Sequence, residues 1–128
     1  MNLRKFLVES GMGIDQHGQS ATDAAVKAVK DAIARPCLTG IGQVLGLKDW
    51  NAVHIDVLVA CPHPDQVQEE TVRIALPVGN VKVDIIEGGM VARGVQSSRW
   101  GDQSDEMYIA NAAVTVWVDV DQVRWPAS

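Results

Sequence analysis

Between Glu9 and Gly18 the chain gathers Glu9, Ser10, Asp15 and His17, punctuated by Gly11, Gly13 and Gly18 in the string GMGIDQHG. A carboxylate and an imidazole two positions apart can share one divalent ion, zinc above all, because zinc accepts both oxygen and nitrogen donors. Asp15 and His17 are therefore the candidate metal ligands. A catalytic zinc takes three protein ligands, so a third must come from His54, Cys61, His63 or Glu9. Beside a metal that polarises an oxygen or activates water, Glu9 and His63 are the candidate catalytic groups that move protons. Without a metal, Gly11, Gly13 and Gly18 form a candidate backbone cradle for a phosphate or carboxylate at a helix start. The spacing is neither a P-loop nor a dinucleotide fingerprint. A structural alternative uses the same residues: Asp15 caps the next helix and His17 bonds a backbone carbonyl. Arg93 and Arg99 are cations available to an anionic metabolite, or simply solvated.

These groups need a strand before them and a helix after them. Residues 3–9 alternate, which places Phe6 and Val8 towards a core. The motif then reads as the loop by which a strand hands over to a helix, the place where α/β folds put ligands. Residues 20–35 read as that helix, with Ser20 as N-cap, Asp23 three positions on and an apolar face of Val26, Val29 and Ile33. Its many alanines imply close packing on a sheet. Residues 37–51 read as a connector with one short helical turn, and 53–60 as a clear strand. A second helix is expected over about 64–76 and a third strand over Val81, Val83 and Ile85. Val114 to Val120 form the last strand, while 106–113 fit either its extension or a helical turn. The order β-α-β-α-β-β implies an α+β fold, a four-stranded mixed sheet with two helices on one face. The other face then holds Leu3, Leu7, Leu58, Ile86 and Trp117 and is expected to pack on further copies of the chain, as a trimer or larger ring, the alternative being a cover made by the termini and the 37–51 connector.

Composition narrows the function classes. A chain of 128 residues makes one domain with one core. Its net charge of −5 argues against a nucleic-acid groove, and no basic cluster marks a membrane surface. Cys37 and Cys61 match no metal or redox spacing with each other. The expectation is a cytoplasmic protein with reduced thiols that binds a small molecule.

GMGIDQHG resembles the GxGxDxHG signature of a small family of conserved hypothetical proteins from bacteria and, with an added leader, plants. The resemblance extends through Asp105–Ala113 and implies no established activity. More distantly, the Gly-x-Gly-x-Asp-x-His opening is similar to that of the methylerythritol cyclodiphosphate synthases, homotrimeric zinc enzymes, and the expected fold is of their kind and of the Bacillus chorismate mutase kind. Thr39-Gly40-Ile41-Gly42 and Val57–Pro62 also look like segments of that family. The resemblance implies a trimer and zinc on Asp15 and His17. The position of that family's second zinc histidine is Gln19 here, and no cytidine-binding segment is visible around Val95–Gly101, so the same reaction is not implied. Finally, Ser10-Gly11-Met12-Gly13 is similar to the serine-glycine turns of ring-opening amidohydrolases, which implies Ser10 as nucleophile with His17 or Lys5 as base.

Overall fold

The computed structural model describes residues 1–124. The chain runs through β1 (Leu3–Asp15), α1 (Ala21–Ile33), α2 (Thr39–Gln43), β2 (Val53–Cys61), α3 (Glu69–Arg73), β3 (Asn80–Glu87), β4 (Met90–Arg93) and β5 (Glu106–Asp119). The sheet is ordered β1-β5-β2-β3, and β4 pairs with β5 in line beyond β2. β2 and β3 run parallel and the other pairs antiparallel. This is the expected α+β mixed sheet with a short fifth strand added. No helix among the described residues is long and apolar enough to cross a membrane.

α1 begins where expected. Ser20 is extended at the N-cap, and its hydroxyl oxygen accepts a hydrogen bond from the Asp23 N–H at 3.1 Å. Such a cap contributes about 1 kcal/mol. Ala21, Ala24, Ala25, Ala28, Val29 and Ala32 are buried against β1, β5 and β2. The second helix departs from the single expected span. Pro64–Gln66 form a 3-10 turn, Val67 is extended, and only Glu69–Arg73 are α-helical. Two demands break it: Val67 must turn into the core, and the Gln68 N–H donates to Thr22 Oγ1 on α1 at 3.0 Å. The ambiguous 106–113 segment is strand, so β5 is paired along nearly its whole length on both sides.

β1 departs most from expectation. The GMGID part of the motif is strand, not loop, and only Gln16–Ser20 make the turn into α1. A register shift between Lys5 and Leu7 reverses the alternation expected for 3–9. Leu7 pairs with Val116 on the helix-covered face, whereas Val8 pairs with Thr115 on the opposite face and is exposed.

On that opposite, open face, registered rows cross the strands. Lys5–Trp117–His54–Asn80 and Val8–Thr115–Asp56–Lys82 make one half. Ser10–Ala113–Leu58–Asp84, Met12–Asn111–Ala60–Ile86 and Ile14–Ile109–Met90 make the other. The first half is polar: the Trp117 indole N–H donates to Asp56 Oδ2 at 3.0 Å, and Lys5 Nζ lies 5.2 Å from the Trp117 ring centre. The second half is mostly apolar.

The outer edge of β1 is sealed by side chains. Asp31 Oδ2 accepts from the Met12 N–H at 2.8 Å, Arg35 Nη1 donates to the Ser10 carbonyl at 2.6 Å, and Lys27 Nζ donates to the Ile14 carbonyl at 3.0 Å. All three come from α1 or the residues just after it. Backbone groups that could template another strand are thus occupied.

Candidate functional site

The motif builds a corner. At Gly11 a Cβ would lie 2.3 Å from the Ala28 carbonyl oxygen and 2.4 Å from the Ala32 nitrogen. At Gly13 it would lie 2.3 Å from both the Ala24 oxygen and the Ala28 nitrogen. Those are backbone atoms, which cannot swing aside. The two glycines bring strand and helix backbones together, with the buried alanines of α1 as the matching small surface. They face a helix rather than a ligand. Gly18 is different: its φ of +88° lies in the left-handed region that glycine enters without strain.

Asp15 is 4% exposed and its Oδ2 accepts the Ser20 N–H at 2.7 Å. Lys27 Nζ stands 3.7 Å from Oδ1. Asp15 therefore locks the start of α1, as the structural alternative expects. His17 takes a partner the sequence did not suggest. Its Nδ1 lies 2.6 Å from Oδ2 of Asp102, 85 positions away, and the Asp102 side chain is fully buried. Asp102 also accepts the Gly18 N–H at 2.8 Å on Oδ1 and the Ser97 N–H at 2.8 Å on Oδ2. Burial opposes ionisation of Asp102, but His17 and the two N–H groups outweigh it and hold the carboxyl below its ordinary range. An ionised Asp102 requires the His17 Nδ1–H to donate, which leaves Nε2 without a hydrogen-bond partner among the described residues. The Trp100 ring lies 4.4 Å away, tilted by 53°.

Gln19 completes the corner. Its Oε1 accepts the Gln103 N–H at 2.9 Å, while Nε2 donates to the carbonyls of Glu106 at 2.9 Å and Ser104 at 3.3 Å. Gln19 has a φ of +49°, so this clamp is made at a strained residue. Asp15, His17, Gly18 and Gln19 together tie the helix start to the 97–106 segment.

The other candidates are spread out. His63 sits between two prolines at φ 53° and stacks on Tyr108, ring centres 5.1 Å apart. Tyr108 pairs with Asp15, so His63 does reach the motif's end of the sheet. Cys61 is core: it is fully buried, its thiol meets the Ala21 carbonyl at 3.5 Å, and burial pushes the thiol up. His54 belongs to the polar half of the open face, remote in register from the motif. Glu9 points to the helix-covered face beyond the end of α1, paired with Val114. Ser10 is on the open face, and its two expected bases are engaged: His17 with Asp102, Lys5 over Trp117. Arg93 is paired with Asp105 at 2.7 Å, which pushes its guanidinium up.

This donor set does not fit the zinc that the cyclodiphosphate synthase resemblance implies. Asp15 is consumed by Ser20, His17 presents one free nitrogen, and the position of the third ligand is a glutamine clamped on backbone. Among the described residues no group of three or more His, Cys, Asp or Glu side chains is placed to hold a metal ion. Asp102 was beyond sequence reasoning because it lies in a polar loop with no pattern of its own.

Comparison with known proteins agrees on the fold and is silent on activity. No curated protein matches. The crystal structure of an FtsZ-like protein of unknown function from Nostoc punctiforme superposes with a TM-score of 0.83. It is 45% identical, with 93% of this chain and 98% of that chain covered. The sequence model of a conserved hypothetical protein family, Lin0512, matches residues 5–116, and the chain belongs to that family.

Proposed function

We propose that this protein is an assembly unit that associates with copies of itself through the apolar half of its open sheet face, with the motif serving as the rigid corner that shapes the unit. One observation carries this reading. Met12, Leu58, Ile86 and Met90 in that half are 43–60% exposed, Val8 in the row beside it is 59% exposed, and all five lie on the face that α1 does not cover. Contiguous exposed apolar side chains rimmed by polar ones are the anatomy of a protein interface. The apolar half supplies the centre of such an interface, and the polar half beside it supplies part of the rim needed to reach the ~800 Å² per partner of a stable association.

A second copy is the occupant this face favours. Pairing along the β1 edge is blocked by Asp31, Arg35 and Lys27, so the face rather than that edge is available. The polar half carries both signs, with Lys5 and Lys82 beside Asp56, which suits a self-complementary rim. The assembly expected is a closed ring, a trimer or larger. The motif's polar groups, spent on Ser20, Asp102 and the 103–106 backbone, support the structural role over a catalytic one.

Sedimentation of the untagged protein tests this. The wild type should sediment as a trimer or larger ring, and the double variant Leu58→Glu/Ile86→Glu as a folded monomer with unchanged circular dichroism. A wild type that stays monomeric up to its solubility limit would overturn the reading. So would an oligomer indifferent to both charges.

A further inference from the structure

The two outer edges of the sheet are finished differently. That of β1 is closed by Lys27, Asp31 and Arg35. The other is β3, which runs in unbroken parallel register with β2. Just past that ladder the Gly88 N–H donates to the Cys61 carbonyl at 3.3 Å, and this bond sets the phase of the strand. Along an extended chain the backbone groups of successive residues point to opposite edges. The even-numbered residues of β3 therefore face β2, and Val81, Val83 and Ile85 aim their N–H and C=O groups outward. Among the described residues no group meets them.

An open edge is ordinarily blunted by a bulge, a proline, a very short strand or a lysine. β3 has only the lysine, Lys82, and two positions on it carries the charge that would cancel it in a second copy, Asp84. Both are exposed, and neither makes an ion pair among the described residues. On the helix-covered face Val81, Val83 and Ile85 are only half-buried.

We infer that β3 pairs with β3 of a second copy, antiparallel about a two-fold axis that passes normal to the sheet at Val83. Residues directly opposite in a sheet share a face, so each residue meets one of its own parity. Two registers of this kind use nearly the whole strand. Centring on Asp84 sets that carboxylate against its own copy and Glu87 against the partner's Val81. Centring on Val83 sets Lys82 opposite the partner's Asp84, and Asp84 opposite the partner's Lys82. Val81 then meets the partner's Ile85 and Val83 its own copy. Because theirs are the outward backbone groups, these couples exchange both N–H···O bonds, and the charged couples fall at the closer, non-hydrogen-bonded positions. The contact is isologous and closes on itself, so it makes pairs rather than fibres.

This edge is distinct from the apolar face of the assembly reading and does not depend on it. One strand is a narrow contact, below the ~800 Å² per partner of a stable interface. The pair therefore forms in concentrated protein, above the dilute range in which sedimentation reads the face.

Amide exchange at Val83, followed by NMR at neutral pH in dilute and concentrated protein, tests this, because association through the face leaves that N–H open. Concentration should slow the exchange about fivefold. Lys82→Asp and Asp84→Lys each set like charges opposite and should raise the concentration required about tenfold. Mixing the two single variants should restore protection, since each then meets its complement, and so should the combined Lys82→Asp/Asp84→Lys exchange. Val83 exchange indifferent to concentration would overturn the proposal and leave the edge to a strand of another protein. Single variants that pair like the wild type, or a mixture that stays unprotected, would overturn it too. Should a variant not fold, the concentration series on the wild type still decides.

Discussion

The two faces of β1 obey opposite rules. Towards α1 the strand presents Gly11 and Gly13, and helix backbone occupies the space a side chain would need. Away from α1 the neighbouring residues Val8 and Met12 project exposed apolar side chains. One face is built by removing atoms so that two backbones can touch; the other keeps its atoms and leaves them uncovered. A glycine in a strand is thus as much a statement about a partner element as about the local chain.

Substitutions should separate the faces sharply. The largest effect is expected at Gly13→Ala. A methyl 2.3 Å from the Ala24 oxygen and the Ala28 nitrogen forces α1 off the sheet, which should cost ~3 kcal/mol or more. Chemical denaturation will show it, and Gly11→Ala should behave alike. On the other face, Met12→Lys changes a side chain that is already exposed and should leave unfolding of the unit within about 0.5 kcal/mol while weakening assembly. Equal sensitivity at positions 12 and 13 would refute the contrast.

A smaller effect belongs to the corner that follows the glycines. Because the Asp102 carboxyl is held below its ordinary range in the folded protein, the unfolded chain binds the extra proton first. The stabilisation is present above the ordinary carboxylate range and is lost as pH falls through the lowered folded value. Asp102→Asn should therefore lower the melting temperature most at neutral pH, where the ionised carboxylate contributes, and least in acid, which flattens part of the acid limb of the profile. It should also raise amide exchange at Gly18 and Ser97, whose N–H groups Asp102 accepts. Asp119 and Asp31 are lowered as well, so part of the limb should survive. The smallest effect concerns the sealed edge. Asp31→Ala with Arg35→Ala frees the Met12 N–H and the Ser10 carbonyl, and light scattering should report slow association of the folded protein.

How far the chain could be read depended on how local each determinant is. Ser20 and Asp23 announce their helix because a cap acts over three residues. The alternation of Val53, Ile55, Val57 and Val59 announces β2 for the same reason. Gly11 and Gly13 were legible as special but not as strand, because a glycine pattern alone does not say whether a ligand or a helix comes close. The signal that decides it, alanines at 21, 24, 25, 28 and 32, was visible in the same stretch. The shift between Lys5 and Leu7 leaves no mark in residue types, so the alternation puts Leu7 and Val8 on the faces opposite to those they take. His17 was singled out correctly as unusual, yet its partner Asp102 is distant in the chain and sits in a loop without periodicity. Where the motif's spacing asks for a third metal ligand, the fold supplies a buried carboxylate that orients the imidazole.

The placement of β5 also sets the order in which the molecule can form. It lies between β1 and β2, yet it is the last strand made, and the Asn2 N–H to Asp119 contact spans 117 positions. A nascent chain can build α1 and the parallel β2–β3 pair early, but β1 has no strand partner until residues 106–119 appear. Folding should accordingly be slow for a protein of this size, limited by closing the longest loop in the chain. Until that closure Asp31, Arg35 and Lys27 seal only the outer edge of the first strand, and the edge that awaits β5 is open to pairing with strangers.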